Sequence, residues 1–186
     1  MSPSLWILLG VVVVLGAATI ASYNRFVRQR NAVQESWRQV DVELHRRHDL
    51  IPNLVETVRG YAAHERTVLD EVTEARGIAA AAGSSPEAQA GQEDILGRAL
   101  SRLFAVSENY PQLRADGRFG QLQTELADTE DRIAASRRLY NGNVRSLNTR
   151  VESFPSSLVA SFFGFKRAGY FTAADPEVRK VPSVSF

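Results

Sequence analysis

The sequence predicts an all-α protein: an N-terminal transmembrane helix continuing into an antiparallel four-helix bundle. Three observations carry this reading. Residues Ser2 to Asn24 hold no charged side chain. Beyond them, apolar residues recur at three- and four-residue spacing, the period of one helix face. No segment alternates apolar and polar residues as a half-buried strand would.

The first element is the apolar run, LWILLGVVVVLGAA from Leu5 to Ala18. A stretch of about 20 such residues spans a hydrocarbon core of about 30 Å. A cleaved signal peptide is the competing reading, but it needs a positive region ahead of the run, and Met1 to Ser4 offers none. Arg25, Arg28 and Arg30 all follow the run, so the positive-inside rule leaves a short N-terminus outside and the large domain in the cytoplasm. The organisation expected is residues 1–4 as an exposed N-terminus, 5–23 as the transmembrane helix, 24–153 as the helical bundle, and 154–186 as an aromatic-rich, membrane-proximal segment and tail.

After the run, Phe26, Val33, Trp37, Val40 and Leu44 continue one helix face. Pro52 has no N–H to donate and disfavours an α conformation at Ile51, so a break or kink is expected there. A second helix then carries Leu54, Val58, Tyr61, Val68, Val72, Ala75 and Ala79 and stops at Gly83. Ser85 followed by Pro86 and Glu87 has the form of an N-cap, a proline at the first helical position and an early acid. The third helix carries Leu96, Leu100, Leu103 and Val106 and ends near Tyr110-Pro111. The fourth keeps a heptad-like period from Phe119 to Val151, about 50 Å of helix. A weak internal echo links "YNRFVRQRNAVQESW" from Tyr23 with "YNGNVRSLNTRVESF" from Tyr140.

Charge and composition exclude several classes. The 186 residues contain 22 basic and 21 acidic side chains and no cysteine. A nearly neutral chain argues against a surface that tracks nucleic-acid phosphates, and without cysteine there is no disulfide, thiolate catalysis or Cys-ligated zinc.

The histidine-rich stretch "RRHDLIPNLVETVRGYAAHE" from Arg46 is the one place where site chemistry could gather. His45 and His48 stand at i, i+3, and with Asp49 they form the alternative reading, a metal-dependent enzyme corner. The di-metal pattern of helical bundles needs Glu-x-x-His on two helices and two further glutamates, and the sequence does not supply it. The simpler expectation is an architectural corner, with Asp49 capping a helix and Arg46 or Arg47 pairing with acids on neighbouring helices. Arg46, Arg47, His48 and Asp49 are then the candidate partner-docking corner, and no catalytic residue, metal or cofactor is expected.

The last segment, "FPSSLVASFFGFKRAGYF" from Phe154, should arrive near the bilayer in an up-down-up-down order. Phe162, Phe163 and Phe165 are candidate membrane contacts, with Lys166 and Arg167 toward anionic lipid; the alternative is that these rings cap the open end of the bundle or pack against another subunit. Small residues in and after the apolar run (Gly10, Gly16, Ala17, Ala18, Ala21 and Ser22) suit helix association in a membrane, so a homo-oligomer is expected.

The uncharged N-terminal anchor, "YN" at Tyr23, the stretch from Arg46, "ENYPQL" at Glu108, "LYNGNVRSLN" at Leu139 and "SFP" at Ser153 together resemble the LemA family. That resemblance implies a single-pass bacterial membrane protein with a short exposed N-terminus and a cytoplasmic helical domain. It implies no enzyme activity, and the family genes' frequent neighbour, a membrane metalloprotease, is an example of the membrane protein partner to expect. The function expected is a membrane-anchored helical scaffold or interaction protein at the bacterial inner membrane, with the lipid bilayer and other copies of itself as partners.

Overall fold

The computed structural model of the chain describes residues 3–83 and 85–172; Met1 and Ser2 of the expected N-terminus and the tail 173–186 lie outside the described residues. Among the described residues six helices follow one another: α1 Pro3–Tyr61, α2 Arg66–Ala81, α3 Pro86–Ser107, α4 Pro111–Arg114, α5 Gly117–Glu152 and α6 Ser156–Phe163. No strand occurs among the described residues. The all-α class and the long apolar N-terminal helix stand.

The expected break at Pro52 does not occur. α1 runs 59 residues with Pro52 inside it and ends at Tyr61, in a turn over residues 62–65 that contains no glycine or proline. The missing Pro52 N–H would have served the His48 carbonyl, four residues back. Arg76 of α2 serves it instead, its Nε donating to the His48 oxygen at 2.9 Å. Asp49 therefore caps no helix, and His64 sits in the turn rather than in a second helix.

The turn that does end α1 is tied by two phenols. Tyr61 donates its hydroxyl to Asp116 Oδ2 at 2.7 Å, and Tyr110 donates to Glu65 Oε1 at 3.1 Å. Asp116 also starts α5, its Oδ1 accepting from the backbone N–H groups of Arg118 and Phe119. The expected start of α3 holds: Ser85 is extended, its hydroxyl accepts from the Ala88 N–H at 3.1 Å, and Pro86 is the first helical residue.

The chain forms two compact units. One comprises Val40–Arg137 with Gly169–Phe186. Its core joins Ile51, Leu54, Val58, Leu69, Val72, Leu96, Leu103, Leu113 and Phe119, all nearly inaccessible to solvent. Each such side chain contributes about 1.5–3 kcal/mol by leaving water.

The other unit comprises Met1–Gln39 with Arg138–Ala168, and the two echo segments pair within it. Phe26 meets Arg150, Gln29 donates to Ser146, Asn143 donates to Ala32 and Ser36, and Trp37 lies against Tyr140. Partners on α5 fall in number as those on α1 rise, so the paired stretches run antiparallel. Beyond α6, Gly164 adopts the left-handed conformation (φ 73°) and the Phe165 N–H bonds back to the Ala160 carbonyl, a helix stop that suits a residue without Cβ. This turn brings Phe165 onto Phe26, stacked at 4.7 Å, while Phe163 meets the Tyr23 ring edge-on at 4.9 Å.

Candidate functional site

On α1, Val40, Leu44, Arg47, Ile51, Leu54 and Val58 recur at alternating spacings of four and three, so Arg47 occupies a position of the buried stripe. On α3, Gln89, Glu93, Leu96, Leu100 and Leu103 do the same, and Glu93 is the acid in that stripe. Helical spacing thus places an arginine and a glutamate in the core, where neither charge is tolerable alone.

They are not alone. Arg47 Nη2 donates to Glu93 Oε2, and Arg47 Nη1 donates to Glu130 Oε1 of α5 at 2.6 Å. His48 Nε2 donates to Glu93 Oε1 at 3.1 Å, and the Gln89 amide donates to the same oxygen at 2.6 Å and to the Ala79 carbonyl at 3.0 Å. Three helices are laced together through one guanidinium, that of Arg47. Burial disfavours the Arg47 charge, but Glu130 and Glu93 outweigh it and hold its pKa above the ordinary arginine value. Burial likewise pushes the Glu93 carboxyl up, yet the His48 hydrogen bond and the Arg47 charge hold it below the usual carboxylate range.

A cleft of about 640 Å³ opens beside this cluster, lined by Arg47, Glu93, Asp94, Arg98, Glu130 and Arg137 among polar residues and by Leu100, Phe104, Ile133 and Phe171 among apolar ones. Its charges are mixed, and the Arg47 guanidinium is engaged by two carboxylates rather than turned toward an anionic ligand.

The four residues of the expected docking corner separate. Arg47 and His48 are buried within α1, while Arg46 and Asp49 are exposed. They form no corner, because α1 continues three turns beyond them. Arg46 and Asp49 belong instead to an exposed strip of α1 with Asp41, Val42, His45 and Asn53. The residues of the alternative enzyme reading face different ways. His45 is exposed with its Nδ1 2.9 Å from the Asp41 carbonyl oxygen, whereas the His48 Nε2 is turned inward to Glu93, so His45, His48 and Asp49 do not converge. Among the described residues no three His, Asp or Glu side chains gather as a metal site would require.

Sequence reasoning reached Arg47's pairing with acids but not Glu93, Gln89, Glu130 or Arg76. The available signal was a charged residue falling on the apolar period of its helix, at Arg47 and again at Glu93.

Of the candidate membrane contacts, Phe162 is 83% exposed and Phe163 45%; Lys166 and Arg167 are exposed, with Arg167 paired to Glu152 at 3.0 Å. Phe165 is partly covered by its contacts with Phe26 and Tyr23. The apolar part of α1 is long enough to cross a membrane and none of it is buried against the protein.

An apolar helix wholly open to its surroundings, continuing into a helical domain whose buried charges pair with one another, defines a membrane-associated helical protein. The chain belongs to the LemA family, whose model matches residues 36–186. It is similar to magnetosome protein MamQ 1 of Paramagnetospirillum magneticum, 29% identical over 185 residues, covering 86% of this chain and 68% of that protein. Magnetosome protein MamQ of Magnetospirillum gryphiswaldense is 28% identical over 174 residues, covering 80% and 64%. Protein LemA of Metamycoplasma hominis is 27% identical over 157 residues, covering 83% and 70%.

Proposed function

We propose that the protein is a membrane-anchored helical scaffold or interaction protein of the bacterial inner membrane, self-associating and without catalytic activity, its N-terminus outside and its helical domain in the cytoplasm. The observation that carries this reading is the continuity of α1. One helix holds an exposed apolar stretch at its start and, without interruption, a structural arginine in the core of the helical domain. The candidate anchor and part of the helical domain are thus carried by one helix in the chain.

Two further observations support it. The buried polar groups are used to join α1, α3 and α5 to one another, which is architectural work. Relatives carry names as magnetosome proteins rather than as enzymes. Orientation follows from Arg25, Arg28 and Arg30 after the apolar run. Arg46 and Asp49, exposed along α1, are the part of the expected docking surface open to a partner such as a membrane metalloprotease. The small residues of the apolar run supply close packing between copies.

The test is the mass of the intact full-length protein in several gentle detergents, with crosslinking in native membranes. Multiples of the 20.6 kDa chain are expected. A monomer in every detergent, with no crosslinked dimer in membranes, contradicts self-association.

A further inference from the structure

The near-neutral chain hides a strong asymmetry. The unit formed by Met1–Gln39 and Arg138–Ala168 holds nine basic side chains and two acidic ones, Glu35 and Glu152, whereas the other unit holds 13 basic and 19 acidic. Both acids of the basic unit are already engaged: Glu35 with Arg38 at 3.2 Å, Glu152 with Arg167 at 3.0 Å.

Within this unit the fold sets arginines together over an aromatic floor. Arg150 of α5 lies over the Phe26 ring at 5.7 Å, Phe26 stacks on Phe165 at 4.7 Å, and Arg30 lies over Phe165 at 5.8 Å. Arg150 Nε is buried without a hydrogen-bond partner. Burial pushes the Arg150 pKa below its ordinary value, and the repulsion of the Arg25 charge adds to that push. The ring faces offset part of that repulsion, and an anion would offset the rest.

We propose that Arg25 and Arg150, flanked by Arg30, bind the phosphate of an anionic phospholipid headgroup. Guanidinium groups present paired N–H donors that match phosphate oxygens. A lipid phosphate is favoured over a free one by position. Arg25 is the first charged side chain after the apolar run, at the level where a spanning helix leaves hydrocarbon, and the same unit leaves the apolar rings of Phe162 and Phe154 exposed. The proposal rests on the reading of α1 as a membrane anchor.

The experiment is native mass spectrometry of the full-length protein in neutral detergent, titrated with phosphatidylglycerol or phosphatidylcholine and with inorganic phosphate as competitor. Phosphatidylglycerol should bind and phosphatidylcholine should not. Arg150→Gln and Arg25→Gln should each weaken binding about fivefold, while Arg28→Gln, an equal charge loss in the same turn of α1 but outside the aromatic floor, should change it less than about twofold. Arg25 is exposed, so its variant reads the site even if Arg150→Gln disturbs packing.

Equal weakening by Arg28→Gln would show diffuse charge instead of a site, and displacement of lipid by inorganic phosphate would show a free-anion site; either overturns the proposal. An alkaline wash of membranes separates this from the anchor. Release of the protein by the wash defeats the anchor itself, whereas retention with no phosphatidylglycerol preference defeats the headgroup site alone.

Discussion

Arg76 Nε lies 2.9 Å from the carbonyl oxygen of His48, the α1 carbonyl that Pro52 leaves without its intrahelical donor. A guanidinium from the neighbouring helix replaces a missing backbone N–H, and α1 continues for nine residues past its proline. Removing Arg76 should leave that carbonyl unpaired, so Arg76→Met is expected to cost about 1–3 kcal/mol. In a Pro52→Ala background the helix supplies its own donor, and Arg76→Met should then cost clearly less. Denaturant unfolding of the four proteins of this cycle measures the coupling, and strict additivity would contradict the account.

The Arg47–Glu93 pair predicts a large single-residue effect. Removing one partner of a buried ion pair typically costs about 3–5 kcal/mol, because the other charge stays buried. Arg47→Met and Glu93→Gln should therefore both destabilise strongly. Glu130→Gln should cost much less, since the Glu130 side chain is 48% exposed and can be replaced by water. Thermal unfolding of the three variants would establish this order.

Acid should loosen the same cluster. The Glu93 carboxyl has a folded pKa below its unfolded value, so it stabilises the protein above the ordinary carboxylate range, and that contribution is lost as pH falls through the folded pKa. Asp116 acts in the same sense, lowered by the Tyr61 hydroxyl and then by the Phe119 N–H. The raised Arg47 pKa has its window above the working range and adds nothing to the acid limb. Unfolding free energy should fall on acidification below the carboxylate range, and the slope should shrink in Glu93→Gln; an unchanged slope would contradict the assignment.

Asn148 should govern the segment after α6. Buried in α5, it donates to the Ala168 carbonyl at 2.9 Å and accepts from the Ala168 N–H at 2.8 Å, holding the chain by both backbone groups. Asn148→Ala should destabilise by about 1–3 kcal/mol and raise amide exchange around Ala168. Exchange unaltered there would show the strap to be held by Phe165 alone.

The helix faces were legible in the sequence because a 3.6-residue period is a local property. The start of α3 was legible too, since Ser85 and Pro86 act within one turn. The end of α1 was not. A proline was present where the helix continues, because the compensating donor comes from Arg76, 24 residues on, and the actual stop at Ala62 to Glu65 is fixed by Tyr61 and Tyr110 reaching Asp116 and Glu65. Distant partners of that kind leave no local trace. The candidate site was half legible: Arg47 could be matched to an acid in principle, but which acid depended on how α3 faces α1.

The claim that most directly carries the account is that the unit holding the apolar run lies at the bilayer surface. The chain contains no cysteine, so a nitroxide can be placed singly at Phe163→Cys and at Glu35→Cys in the full-length protein, and its collisions with oxygen and with a water-soluble nickel complex compared in bilayers of neutral and anionic lipid. Glu35 lies about 20 Å along α1 beyond Ser22 at 1.5 Å per residue. The account predicts that the label at Phe163 sits at headgroup depth, shielded from nickel and reached by oxygen, while that at Glu35 is fully aqueous. Equal, aqueous accessibility at both positions would contradict it.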